Sequence, residues 1–305
     1  MWKLNMARML QALAAAFLLF GGHTALAQDK PRIVTVNYAL QYFAERLAGH
    51  SAVVVFPVPA DTDPSFWRPS ISDISEIQSA DLILLNGAGF ATWIDRVSLP
   101  RSRVVNTSRT IEDQFIVTES ITHSHGDGGE HSHEGLASYT WLNPVLAAAQ
   151  AEAVAAAIVA RGAASDAEVE PRLASLLSDL EQLDSDAQSA LSAAGDTPII
   201  ATHPRYQYLA DRYGLSITSL EWEAGATPND EEIAELRDVI NDTGSRILVW
   251  EARPKMGGLE AVAALGMTNV VFEPMAHPPQ SSDYVDAFNE AIDELASAVA
   301  LRPGN

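Results

Sequence analysis

Two runs of alternating short apolar segments and amphipathic segments, separated by one long leucine stripe, constrain this chain more than any other feature. In the first run, residues 33–36, 52–57, 81–85 and 103–106 read as strands and 39–48 and 71–78 as helices. Ser70 followed by Asp73 marks the start of the second of these helices. In the second run, strands at 198–202, 216–220, 247–250 and 269–272 alternate with helices at 206–213, 229–241, 258–265 and 281–300. An alanine-rich helix at 145–160 precedes the stripe Leu173, Leu176, Leu177, Leu180, Leu183, Ala187 and Leu191, and Gly195 is placed to end that run. A helix over 171–194 is about 36 Å long at 1.5 Å per residue, enough to cross between two lobes. The expected class is α/β, with two lobes that each hold a small four-stranded parallel sheet flanked by helices, joined by one long helix. The expected divisions are 28–164, 165–195 and 196–305.

The first 27 residues have the parts of a secretory leader: Lys3 and Arg8, an apolar stretch over 10–20, and Ala25-Leu26-Ala27 before the expected cut after Ala27. The apolar stretch is shorter than the ~20 residues a spanning helix needs, and no later stretch is long enough either. The absence of cysteine excludes a lipid-anchored or disulfide-stapled chain and suits the bacterial periplasm. Without the leader, 17 basic residues face 40 acidic ones. That field repels nucleic acid and anionic lipid and favours cations, although solubility alone accounts for much of it.

Residues 107–138 break the alternation. Within Thr122 to Gly135, four of the eight histidines (His123, His125, His131 and His133) fall in eleven residues, spaced by glycine, serine and acid. With no apolar face to bury, the tract reads as a surface loop. Tethered neutral imidazoles bind divalent transition metals, with poor discrimination among zinc, copper and nickel. His203 stands at the end of the buried run 198–202, where open α/β sheets place ligands, and reads as a metal ligand or as a cap of the helix after it. Glu221, Glu223 and Glu251 read as surface carboxylates, with metal ligation as the alternative. Trp67, Trp93, Trp141, Trp222 and Trp250 read as core, Trp67 and Trp141 also as pocket walls.

The stretches Asp63-Pro64-Ser65-Phe66-Trp67-Arg68-Pro69-Ser70, Ile77 to Gly87, Trp141-Leu142-Asn143-Pro144, His203 to Gly214, Trp250 to Lys255 and Phe272-Glu273-Pro274-Met275 occur in an order and spacing that resemble the ZnuA/TroA-like family. These are periplasmic zinc or manganese solute-binding proteins of ABC transporters. The resemblance covers nearly all of the chain after the leader. It implies an ion held between two lobes by three histidines and a carboxylate. His203 matches the third histidine and Glu273 the carboxylate, while Ser65 and Tyr139 stand where histidines are expected. Serine is a poor zinc ligand, and tyrosine must first lose a proton near pH 10. Two arrangements repair the set: His131 and His133 fold back beside Tyr139, or the tract collects ions by itself. The first is preferred, because a buried His203 and Glu273 facing a cleft are costly without a shared cation.

The resulting expectation is a monomeric periplasmic protein, not an enzyme, that captures zinc and passes it to an ABC permease of the inner membrane. Manganese or another divalent transition metal is the alternative ion. No nucleic-acid partner and no membrane insertion after cleavage are expected. A metal buffer or chaperone, or a binder of another ligand on the same scaffold, is the alternative function. A hydrolase using His203 and Glu273 around a metal hydroxide ranks last, because no nucleophile elbow, HExxH or phosphate loop is present.

Overall fold

The structure, a computed structural model, describes residues 29–124, 130–280 and 282–301. The expected leader and its cut after Ala27 lie outside these residues, as does His125.

Each unit starts where the sequence supplies a cap. Asn37 follows β1 (Arg32–Thr35) and accepts from Leu40 N, opening α1 (Tyr38–Ala48). After β2 (Val53–Val55), Ser70 and Asp73 bond reciprocally at the start of α2 (Ile71–Ser79). The remaining strands are β3 (Leu82–Leu85) and β4 (Val104–Asn106), and the parallel sheet has the order β2-β1-β3-β4.

The second sheet is built from β7 (Pro198–Ala201), β8 (Ser216–Ser219), β9 (Ile247–Trp250) and β10 (Thr268–Val271), in the parallel order β10-β9-β7-β8. Counted from its own first strand, this is the topology of the first sheet again. Helices α5 (Gln207–Tyr213), α6 (Asp230–Thr243) and α7 (Met256–Ala263) connect its strands, and α8 (Tyr284–Ala300) follows. In both sheets the winding switches sides between the first and third strands, the place where such sheets open a crevice at their carboxyl ends.

Between the sheets, α3 (Pro144–Ala160) and α4 (Asp166–Ala190) pack on each other, α3 also against α1, and α4 against both α1 and α8. The buried face of α4 is Leu176, Leu180, Leu183 and Ala187, with Leu191 just beyond it. One apolar core therefore runs from Ile33 through this helix to Val299, within the compact unit Pro31–Asn305. The helix starts five residues before the expected position 171. Ser165 and Glu168 form a capping box there, and Pro171 is carried in the second turn. A second departure is the histidine tract, expected to be a loop. It contributes to an antiparallel ribbon of β5 (Val117–Ser124) and β6 (Glu130–Leu136), in which position 123 pairs with 131 and position 121 with 133.

Candidate functional site

Four segments meet at the seam between the sheets. His203 follows β7 and Glu251 follows β9, the two strands that flank the crevice of the second sheet. Asp63 and Ser65 lie beyond β2, and Tyr139 precedes α3. A buried polar network sets the last of these. Asn86 donates to Ser138 O at 2.9 Å, Thr140 donates to Gln150 at 2.9 Å, and Gln150 donates to Asn86 at 3.1 Å and to Thr107 at 2.9 Å. Every amide and hydroxyl in it has a partner, so Tyr139 is presented by a rigid support.

Backbone carbonyls stitch the seam. Trp141 Nε1 donates to Pro274 O at 2.7 Å, and Tyr284 returns a bond to Trp141 O at 2.6 Å. Tyr38 N reaches Ala276 O at 3.0 Å, and His277 Nε2 lies 2.7 Å from Thr62 O.

His203 is buried, with Nδ1 2.8 Å from Glu251 Oε2 and Nε2 4.0 Å from Glu221 Oε2. It does not cap α5, whose N-cap position is Tyr206. Burial and the neighbouring Arg205 charge hold its pKa below the ordinary imidazole range. Glu251 is buried too, contrary to the expectation of a surface carboxylate. Burial alone raises a carboxyl pKa. Here the Arg205 charge and the contact with His203 outweigh it and bring Glu251 down to about 2. The ring thus sits between two carboxylates, with Glu251 on the side of Nδ1 and Glu221 on the side of Nε2.

The cation at the centre of the site belongs to the protein. Arg205 Nε lies 2.9 Å from Glu251 Oε1, and a terminal guanidinium nitrogen lies 2.6 Å from Asp63 Oδ2. Its guanidinium carbon stands 4.8 Å from the centre of the Tyr139 ring and 5.7 Å from that of Phe66. Ser65 is buried and donates to Asp63 Oδ1 at 2.5 Å. Burial pushes the Tyr139 pKa well above its ordinary value despite the nearby Arg205, so the phenol keeps its proton.

The expected partnership of His203 with Glu273 is not what the fold brings together. Glu251 takes the place against His203, and Glu273 is exposed beyond β10. Among the described residues, no three histidine or carboxylate side chains converge as a metal site. Trp67 and Trp141 are buried, and Trp67 meets Trp93 edge to face at 5.8 Å. Trp67 and His203 both border a cleft of about 1480 Å³ that lies mainly against the first sheet.

Residues 33–298 match the model of the family described as ZnuA, zinc-uptake complex component A, periplasmic. The chain belongs to this family. Among its relatives in the family, the zinc-binding lipoprotein AdcA of Streptococcus pneumoniae is 28% identical over 250 residues, which are 80% of this chain and 49% of AdcA. The chain thus spans about half the length of that relative. The high-affinity zinc uptake system protein ZnuA of Bacillus subtilis is 25% identical over 312 residues, 95% of this chain and 97% of that protein. A crystal structure of Zn(II)-bound AdcA from Streptococcus pneumoniae superposes with a TM-score of 0.74 at 20% identity, over 88% of this chain and 58% of that one. That likeness speaks for the fold alone.

Within the family fold, Ser65 and Tyr139 stand at positions where the resemblance implies histidine, and both border Arg205 or its partner Asp63. Sequence order alone does not single out Arg205. Its signal was an arginine two residues past a strand-end histidine, in a chain with acids at two other strand ends.

Proposed function

We propose that this chain is an exported zinc-binding component of an ABC uptake system, that it passes zinc to a membrane permease, and that the histidine ribbon is where it collects the bare ion. Its membership of the zinc-uptake family supports the carrier role, and the ribbon register carries the choice of site. Positions 123 and 131 pair across the ribbon, and 133 is two residues beyond 131, so three of the tract's four histidine positions lie on adjoining stretches of paired backbone. At the seam, a permanent guanidinium already neutralises the carboxylates that a bare dication requires. Nothing is chemically transformed in this reading. The protein acts as a monomer, is exported by residues 1–27 and binds neither nucleic acid nor lipid; no helix among the described residues is long and apolar enough to cross a membrane.

Titration calorimetry with zinc chloride tests the site. Replacing His123, His125, His131 and His133 together by serine removes most of the bound zinc, whereas His203→Gln leaves it in place. Unchanged binding after loss of the four histidines would sink the ribbon reading. A metal buffer remains the alternative role, since a surface ribbon holds zinc without a permease. Zinc uptake by cells that carry the cognate permease but lack this chain separates the two.

A further inference from the structure

We propose that the large cleft against the first sheet is a second ligand site that takes an aliphatic polyamine, its ammonium groups on the carboxylates at the mouth and its methylenes on the aromatic wall. This goes beyond the zinc reading and does not depend on it.

Position and size come first. Leu85 and Asn106 border the cleft at the ends of β3 and β4, and Asp61 and Pro69 border it from the segment after β2. Open parallel sheets bind ligands in crevices at the carboxyl ends of their strands. At about 1480 Å³ the cleft exceeds the roughly 300 to 1,000 Å³ that hold a small organic molecule, so an extended chain has room in it.

The wall is aromatic and fixed. Trp67, Phe90 and Trp93 line the cleft although each is almost wholly buried. Trp67 and Trp93 meet edge to face at 5.8 Å, and Phe90 stands edge-on to Trp141 at 5.1 Å. Hydrocarbon packs well on such rings, and their faces attract an ammonium group.

Charge then selects among organic ligands. Asp61, Asp63, Asp95 and Glu223 line the cleft, against Arg68 and Arg96. Asp63 is already paired with Arg205, and Arg68 has an interaction of its own within the protein. Asp61, Asp95 and Glu223 are exposed, and among the described residues none of the three is in an ion pair. They come from three segments: the loop after β2, the short helical turn Thr92–Arg96 and the stretch after β8. Among the described residues no three carboxylate or histidine side chains converge closely enough to hold a metal ion, so the mouth does not suit a bare cation. Carboxylates dispersed in this way match a ligand whose positive charges are dispersed along a chain, each ammonium donating charge-assisted hydrogen bonds. The net charge of −21 adds a field that draws polycations to the protein.

The test uses the mature chain freed of zinc, in about 0.15 M salt so that weak attraction to the acidic surface is screened. Calorimetry and tryptophan fluorescence follow three probes: spermidine, a neutral diol of the same chain length, and a dicarboxylate of that length. Spermidine is expected to saturate at one equivalent and to change the fluorescence, while the diol and the dicarboxylate do not bind. Asp95→Asn combined with Glu223→Gln weakens spermidine at least about tenfold. Glu170→Gln combined with Glu181→Gln removes two exposed charges from α4, outside the cleft, and leaves the affinity unchanged. Circular dichroism establishes that both double variants are folded. Absence of saturable spermidine binding overturns the proposal. So does equal weakening by the two double variants, or a diol that binds as tightly as spermidine. The zinc reading is decided separately, by the ribbon variants.

Discussion

Arg205 stands 2.9 Å from Glu251 and shares its guanidinium with Asp63 at 2.6 Å, so its charge ties together carboxylates that follow strands of the two sheets. Arg205→Met leaves Glu251 buried without its counter-charge. The expected loss is about 3–5 kcal/mol in urea unfolding, and adding Glu251→Gln recovers part of it. A variant as stable as the parent would show that the pair contributes little.

Glu168, at the start of α4, is held down to about 2, first by the Ser165 hydroxyl at 2.6 Å, then by Ser165 N at 2.9 Å and Ser51 at 3.0 Å. The folded pKa is below the unfolded value of about 4.3, so the unfolded chain holds the proton more tightly. The contribution of Glu168 is present above about 4.3 and lost as pH falls through about 2. Glu168→Gln should therefore be less stable than the parent at neutral pH, with the two converging in acid. Parallel denaturation curves across that range decide it.

Trp141→Phe keeps the apolar packing of this wholly buried ring but removes the donor to Pro274 O. A loss of about 1–3 kcal/mol is expected in denaturant unfolding, because a buried carbonyl is left unpaired.

Gly87 follows the network residue Asn86 with φ +79°, and an added Cβ would collide with the side chains of Ser108 and Asn106. Left-handed strain and the clash together make Gly87→Ala destabilising by about 1–3 kcal/mol or more. Thermal unfolding of the purified variant measures it.

Zinc binding at the ribbon requires neutral imidazoles. Affinity should fall in acid as the imidazoles take up protons and release zinc. Calorimetry in buffers of different ionisation enthalpy counts those protons. A pH-independent affinity would exclude an imidazole site.

Much of the fold was legible because its signals are local. Apolar runs of four to six residues gave all eight strands of the two sheets to within two residues or so at their ends, and Ser70 with Asp73 marked its own helix. Pro171 misled because proline usually opens a helix, and here the Ser165–Glu168 capping box acts earlier. The ribbon was missed because its alternation is of histidine and serine, without the apolar face that betrays a strand. The site was half legible. His203 was placed by its position after β7, but the choice of Glu251 over Glu273 depends on which strands are neighbours, and sequence order does not show that β7 lies beside β9. The pairing of Arg205 was hidden for the same reason, since Asp63 lies 142 positions away in the chain.

The carbonyl contacts at Pro274, Ala276, Thr62 and Trp141 bear on traffic as well as on stability. For the zinc carrier proposed above, halves riveted at four points predict one outer face for the laden and the empty form. Empty molecules would then queue at the permease alongside full ones, and throughput would depend on the number of carriers made for each permease.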